Sequence, residues 1–184
     1  PITFLSHFQT QIAPRNFEKI VIICYSGQSA AYYTSLLRLA GYSNVYSMKW
    51  GMSSWRQDFA ENAWLKNIGD TQAISLEKTA NPKPAKGDYP AINTGKTDAK
   101  EILNERLALA FAKPYKEMTV EGKDFFANTD QYFIANYADE AVYNNGHIKK
   151  AVHYTPFKSL SAAEDLSSLP TDKKIVVYDN AGFV

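Results

Sequence analysis

The chain has 184 residues, 45% of them apolar and 14% aromatic, with a formal net charge of +1. That balance points to globular material in one large domain or two small ones, and gives no basic field for nucleic acid. A single cysteine excludes an intrachain disulfide framework and a cysteine-based zinc cluster, and three separated histidines (His7, His147, His153) do not make a metal site. No apolar run approaches membrane-spanning length and no signal peptide is visible, yet the chain opens on Pro1 rather than methionine, so the compartment, cytoplasm or periplasm, stays open.

In chain order, the first predicted element is a strand, Lys19-Ile20-Val21-Ile22-Ile23, a short β-branched run suited to a sheet core. It stops at Cys24, and polarity switches at once to Tyr25-Ser26-Gly27-Gln28-Ser29. A helix over residues 30–40 follows and is closed by Gly41, then a second strand, Asn44-Val45-Tyr46-Ser47-Met48. Two parallel strands joined by a helix form a βαβ unit, expected to be buried on both faces. Trp50-Gly51-Met52-Ser53-Ser54-Trp55 and an aromatic-rich helical segment through Trp64 and Leu65 complete this part. Gly51 and Trp55 read as structural residues, a turn glycine and a packed tryptophan.

Residues 69–96 lose periodicity. Asn81-Pro82-Lys83-Pro84-Ala85-Lys86-Gly87-Asp88-Tyr89-Pro90 reads as a linker, semi-extended where the prolines fall. Asp98 and Glu101 have capping-box spacing at the head of a helix over roughly 99–111, with Ile102, Leu103, Leu107, Ala110 and Phe111 as its apolar stripe and Lys113-Pro114 as its stop. From about Met118 the α/β pattern returns, with strands at Tyr132-Phe133-Ile134-Ala135, Ala151-Val152-His153-Tyr154 and Lys174-Ile175-Val176-Val177-Tyr178. The last ends in Asp179-Asn180-Ala181-Gly182, and it aligns residue for residue with the strand and loop around Cys24, Asp179 standing in the cysteine's place. This internal repeat, about 155 residues apart, is domain-sized rather than solenoid-sized.

A solitary cysteine is most often a small buried hydrophobe. Cys24 departs from that pattern, because a core cysteine has no need of a tight polar loop directly after it. A thiol between a buried strand and a helix N-terminus faces backbone N–H groups and the positive end of the helix dipole, and both favour the thiolate. Gly27 permits tight curvature. Ser26 and Ser29 carry hydroxyl donors. Tyr25, Ser26 and Gln28 are placed at the entrance, and Ser29 is expected to be the N-cap of the helix.

These features resemble the rhodanese family of sulfurtransferases in a tandem-domain form. Residues 17–56 resemble the C-terminal half of a rhodanese domain: active-site strand, cysteine loop, helix, the Gly41-Tyr42-Ser43-Asn44-Val45-Tyr46 strand, then Gly51-Met52-Ser53-Ser54-Trp55. Residues 118–184 resemble the N-terminal half of a second domain, through Tyr132-Phe133-Ile134, Tyr143-Asn144-Asn145-Gly146-His147-Ile148, Ala151-Val152 and the stretch from Leu169-Pro170 to Tyr178. The resemblance implies an α/β fold, a parallel sheet flanked by helices, in two partial or complementing domains: 1–68 with the cysteine loop, a linker at 69–96, and 97–184 as a helix plus a second half-domain. It implies a sulfurtransferase that moves a sulfane sulfur from thiosulfate, a persulfide or a polysulfide to a thiol or cyanide through a Cys24 persulfide. Tyr25, Ser26, Gly27, Gln28 and Ser29 would form the substrate-binding loop, with no cofactor or metal.

Departures from the family pattern carry information. Asn136 and Ala138 stand where the second half should carry Asp-x-Arg, and Asp179 occupies its nucleophile position, which implies a non-catalytic second domain. A non-enzymatic binding or regulatory module is accordingly the alternative for the chain. Trp50 replaces a usual glycine and is expected to alter the pocket rim, while His147 is expected to brace its turn. Phosphatases and arsenate reductases on related folds need a guanidinium to grip an oxyanion; this six-residue loop has neither arginine nor lysine, which argues against phosphoryl transfer and also weakens thiosulfate as donor. The first domain lacks its N-terminal half and the second its C-terminal half. A fragment of a longer protein is the favoured expectation over two halves complementing each other in one sheet, and a piece standing alone would dimerise or exchange halves to cover its open sheet edge.

Overall fold

The computed structural model describes residues 3–182, which fall into two compact units. The first comprises residues up to 68 together with 92–120, and the second comprises residues 69–91 together with 121 onward.

In the first unit, Thr3 caps a short helix α1 (Phe4–His7) by accepting the Ser6 N–H. The chain continues through a π turn and a 3-10 turn, and Asn16, left-handed at φ 52°, redirects it into strand β1 (Ile20–Ile22). Helix α2 (Gln28–Leu39) then crosses over to strand β2 (Val45–Ser47), which pairs parallel with β1 in the register Ile20 to Val45 and Ile22 to Ser47. The glycine stop acts as expected: Tyr42 N–H donates to Leu37 O and Gly41 N–H to Arg38 O, the paired bonds of a Schellman end, with Gly41 at φ 101°. A short helix α3 (Gln57–Ala63) lies among 3-10 turns at Gly51–Ser54 and Leu65–Asn67.

Helix α4 (Ala99–Ala112) begins where the capping signal places it, Asp98 accepting from the Lys100 and Glu101 N–H groups. Only Leu107 and Phe111 of its apolar stripe are buried, in one core with Phe8, Leu36, Leu37 and Val45. This packing places α4 in the first unit, whereas the division read from the sequence put it with the second half; the seam that α4 buries is built by α1, α2 and β2. The β1–β2 sheet also differs from a doubly covered one. Ile20 and Ile22 pack towards the core, while Val21, Ile23 and Tyr46 remain 50%, 41% and 43% exposed. Strand side chains alternate between faces, and among the described residues the helices cover one face.

The second unit is built on three parallel strands, β3 (Tyr132–Asn136), β4 (Val152–His153) and β5 (Lys174–Tyr178), in the order β4-β3-β5. Helix α5 (Gly122–Ala127) precedes β3, and α6 (Glu140–Asn145) connects β3 towards β4. The central strand is buried over Ile134, Ala135 and Asn136. Residues 69–91, the larger part of the 69–96 stretch read from the sequence as linker, form an extended strap within this unit: Glu77 and His147 exchange backbone hydrogen bonds, Asn81 N–H donates to Tyr143 Oη, and Gly87 N–H donates to Ser167 O. Among the described residues, strands β1–β2 make one sheet and β3–β5 another. Among the described residues no helix is long and apolar enough to cross a membrane.

Candidate active site

Strand β1 ends one residue before Ile23, and the chain then turns through Cys24, Tyr25, Ser26 and Gly27 into α2. Four hydrogen bonds fix this loop from outside. The Cys24 carbonyl accepts from Met52 N–H at 2.9 Å, the Tyr25 carbonyl from Ser53 N–H at 3.0 Å and Ser53 Oγ at 2.8 Å, and the Ser26 carbonyl from Trp64 Nε1 at 3.1 Å. With its carbonyls committed outward, the loop turns its amides inward. Gly27, left-handed at φ 88°, closes the curve and donates its N–H to Cys24 Sγ at 3.1 Å. The result is a nest of backbone donors continuous with a helix N-terminus, an arrangement that favours an anion at its centre.

Gly51 makes the close approach feasible. A Cβ there would fall 2.0 Å from Cys24 O and 2.7 Å from Gly27 N, so any side chain would collide with the loop backbone. The sequence marked Gly51 as structural; its structural task is to let the segment after β2 lie directly against the cysteine loop. Trp50 beside it is itself left-handed at φ 64°, a conformation glycine adopts without strain, and its ring meets Trp64 edge-on at 5.0 Å. The departure from glycine thus places an aromatic pair at the loop, with Trp64 holding the Ser26 carbonyl.

Burial pushes the Cys24 thiol up, but hydrogen bonds from the Ser29 hydroxyl and from the amides of Ala30, Gly27 and Ser26 outweigh it and hold the pKa below the ordinary cysteine value. Cys24 is partly exposed, so the sulfur remains within reach of solvent. All six sequence-chosen residues are brought together here, with one correction of role. Ser29 is not the N-cap: α2 starts at Gln28 after Gly27, so Ser29 lies inside the first turn and its hydroxyl serves the sulfur. Ser26 Oγ turns instead to Gln28 Oε1 at 3.3 Å. Tyr25 stands out at the rim, 61% exposed, its ring edge-on to Phe59 at 5.9 Å.

Sequence reasoning missed Ser53, Trp64 and Tyr115. Tyr115 belongs to the 3-10 turn Tyr115–Met118 after α4; its ring lies 5.8 Å from Tyr32 of α2, and burial together with the Cys24 charge raises its phenol above the ordinary tyrosine range. No periodicity could have linked positions this far apart in the chain. Among the described residues no cluster of three or more histidine, cysteine or carboxylate side chains could hold a metal ion.

The second unit repeats the loop. Asp179 Oδ1 accepts from Ala181 N–H at 2.8 Å and from Gly182 N–H, and Gly182 is left-handed at φ 67° as Gly27 is at φ 88°. His147 braces its turn: it is 1% exposed, its ring stacks on Tyr143 at 3.6 Å, and its Nδ1 donates to Tyr143 O at 2.8 Å. Asn136 closes β3 in a buried position and Ala138 is buried just beyond it.

The rhodanese-like domain model matches residues 1–58 and 127–183, more than half of the chain. No curated protein and no solved structure matches it. The chain belongs to the rhodanese-like family, with both matched stretches carrying the α/β arrangement of parallel strands and flanking helices described above.

Proposed function

We propose that this rhodanese-like chain is a sulfurtransferase in which Cys24 carries a sulfane sulfur. The observation that supports this most is the donor set around Cys24 Sγ: an amide at 3.1 Å, further amides and the Ser29 hydroxyl, sufficient to lower the thiol pKa against burial. A thiolate attacks the outer sulfur of a donor, forming the Cys24 S–S bond. The bond between that sulfur and the donor breaks, and its electron pair leaves with the donor, as sulfite from thiosulfate or as a thiolate from an organic persulfide. The persulfide is a diffuse anion, and fixed backbone dipoles aimed at it need no rearrangement as charge shifts along the two sulfurs. An acceptor thiolate or cyanide then attacks the outer sulfur, and the electron pair returns to Sγ.

Tyr25, Ser26, Gly27, Gln28 and Ser29 form the substrate-binding loop in this reading. The loop lacks a cation and its surroundings are aromatic, with Tyr25, Phe59, Trp50 and Trp64 grouped around it. A persulfide or polysulfide of low charge therefore fits better than dianionic thiosulfate. Incubation with polysulfide is expected to add one sulfur to the intact mass, and Cys24→Ser to abolish the adduct. No adduct from either polysulfide or thiosulfate would sink the enzymatic reading.

A second reading, a non-enzymatic binding or regulatory role, is favoured for the second unit by Asp179, whose carboxylate takes the amides that its loop would otherwise offer.

A further inference from the structure

The chemistry at Cys24 depends on which way one peptide unit faces. The Ser26 carbonyl and the Gly27 N–H belong to the same planar trans unit, so they point in opposite directions. The amide end donates to Cys24 Sγ at 3.1 Å, and the carbonyl end accepts from Trp64 Nε1 at 3.1 Å. Indole N–H, peptide and sulfur therefore form one continuous hydrogen-bonded chain. Donation to the carbonyl polarises the peptide and strengthens its amide as a donor, the cooperative effect of linked hydrogen bonds.

This peptide is also one that can turn over. The flip changes ψ of Ser26 and φ of Gly27, and a glycine accepts either sign of φ at little cost. The reversed orientation would aim a carbonyl oxygen at the sulfur, where its negative end repels a thiolate or a persulfide. Trp64 opposes that flip, and it is itself held from two sides. Its backbone closes α3, the Trp64 N–H donating to Ala60 O at 2.9 Å and the Trp64 carbonyl accepting from Asn67 N–H at 3.0 Å. Its ring meets the Trp50 ring edge-on, 5.0 Å between centroids and 71° between planes. Ser53 ties the same helix to the loop, because Ser53 Oγ, which donates to Tyr25 O at 2.8 Å, also lies 3.4 Å from Phe59 O. Trp64 stands beyond residue 58, where the first stretch matched by the family model ends.

We propose that Trp64 is a positioning residue for Cys24: its indole N–H fixes the Ser26–Gly27 peptide with the amide towards the sulfur and so sustains the sulfur anion. As a role in sulfur transfer it rests on the reading above. Trp64 acts through the peptide and exchanges neither proton nor sulfur.

The test compares wild type, Trp64→Phe and Trp50→Gly by the pH profile of Cys24 alkylation with iodoacetamide, by sulfur loading from polysulfide read as intact mass, and by urea unfolding. Trp64→Phe keeps an aromatic ring against Trp50 and removes the N–H. Its alkylation midpoint is expected to rise by about half to one pH unit, with alkylation and sulfur loading at neutral pH slowed about threefold to tenfold; this is a fraction of a hydrogen bond to a charged group, because the Gly27 amide stays in the chain. Trp50→Gly leaves the indole N–H in place and suits the left-handed backbone at φ 64°. Its midpoint is expected to rise less. An unchanged midpoint in Trp64→Phe overturns the proposal, whatever the variant's stability to urea, since packing alone then accounts for Trp64. A larger rise in Trp50→Gly than in Trp64→Phe also overturns it, because ring packing rather than the indole N–H would then govern the sulfur. A raised midpoint in Trp64→Phe, where wild type loads no sulfur, upholds the positioning role and sinks the sulfur-transfer reading alone.

Discussion

In the Cys24 loop, the amide three residues on belongs to Gly27 and points at a sulfur 3.1 Å away; in the Asp179 loop, the corresponding amide belongs to Gly182 and points at the loop's own carboxylate. Both glycines are left-handed and both loops follow a parallel β-strand. The backbone geometry is therefore repeated and the occupant differs. A thiolate at the centre is a nucleophile whose charge the loop sustains. A carboxylate at the centre is a finished interaction: Asp179 satisfies the amides of Ala181 and Gly182 and has no bond it can exchange for sulfur. One scaffold can thus favour reactivity or simple closure according to a single side chain. The first loop also has its carbonyls held from outside by Met52, Ser53 and Trp64.

The strongest way to break this comparison is to remove that support. Gly51→Ala forces a Cβ to within 2.0 Å of Cys24 O at a left-handed position. It is expected to destabilise the first unit by about 2–4 kcal/mol and to eliminate sulfur loading, measured by urea unfolding and intact mass. Wild-type loading in Gly51→Ala would mean that the loop does not depend on its neighbour.

A second test moves the nucleophile. In a Cys24→Ser background, Asp179→Cys places a lone thiol at the start of the repeated loop, and its alkylation midpoint is expected to lie below that of an ordinary thiol. Asp179→Ala leaves two amides without their acceptor and is expected to cost about 1–3 kcal/mol on urea unfolding. An ordinary midpoint for the cysteine variant would show that equal backbone geometry does not carry equal electrostatics.

Smaller effects sharpen the account of the first loop. Ser29→Ala removes the largest of the contributions that lower the Cys24 pKa, so the alkylation midpoint moves up and the rate at neutral pH falls about threefold to tenfold. The sign for stability follows from the same shift. Cys24 is an acid whose folded pKa is depressed, so its contribution to folding is complete above the unfolded thiol pKa and is lost as pH falls through the folded value. Wild type should therefore gain stability relative to Cys24→Ala as pH rises across that window. A constant difference between the two would contradict a preferred thiolate.

Much of this molecule is legible as local pattern. The β-branched run of residues 19–23, the Asp98 cap and the Gly41 stop are encoded within a few residues of where they act, so the strands and helices β1, α2, β2, α4, β3, β4 and β5 could be placed from the chain alone. The candidate nucleophile was legible for the same reason, because a thiol at a strand-to-helix junction is a local arrangement. The Asp179 repeat was legible as an alignment.

Tertiary structure decided the rest. Ser29 lost its expected capping role because Gly27 already closes the turn by its left-handed backbone, which frees the serine hydroxyl for the sulfur. Helix α4 joined the first unit because Leu107 and Phe111 found their complement on α2. Gly51, Trp64 and Tyr115 acquire their meaning from contacts with residues far away in the chain, and no periodicity of 2 or 3.6 reports such contacts. Composition and local pattern determine which elements form and where a reactive thiol can sit. Which carbonyls are held and which hydroxyl faces the sulfur depend on side-chain packing, and packing is specified only once the chain is folded.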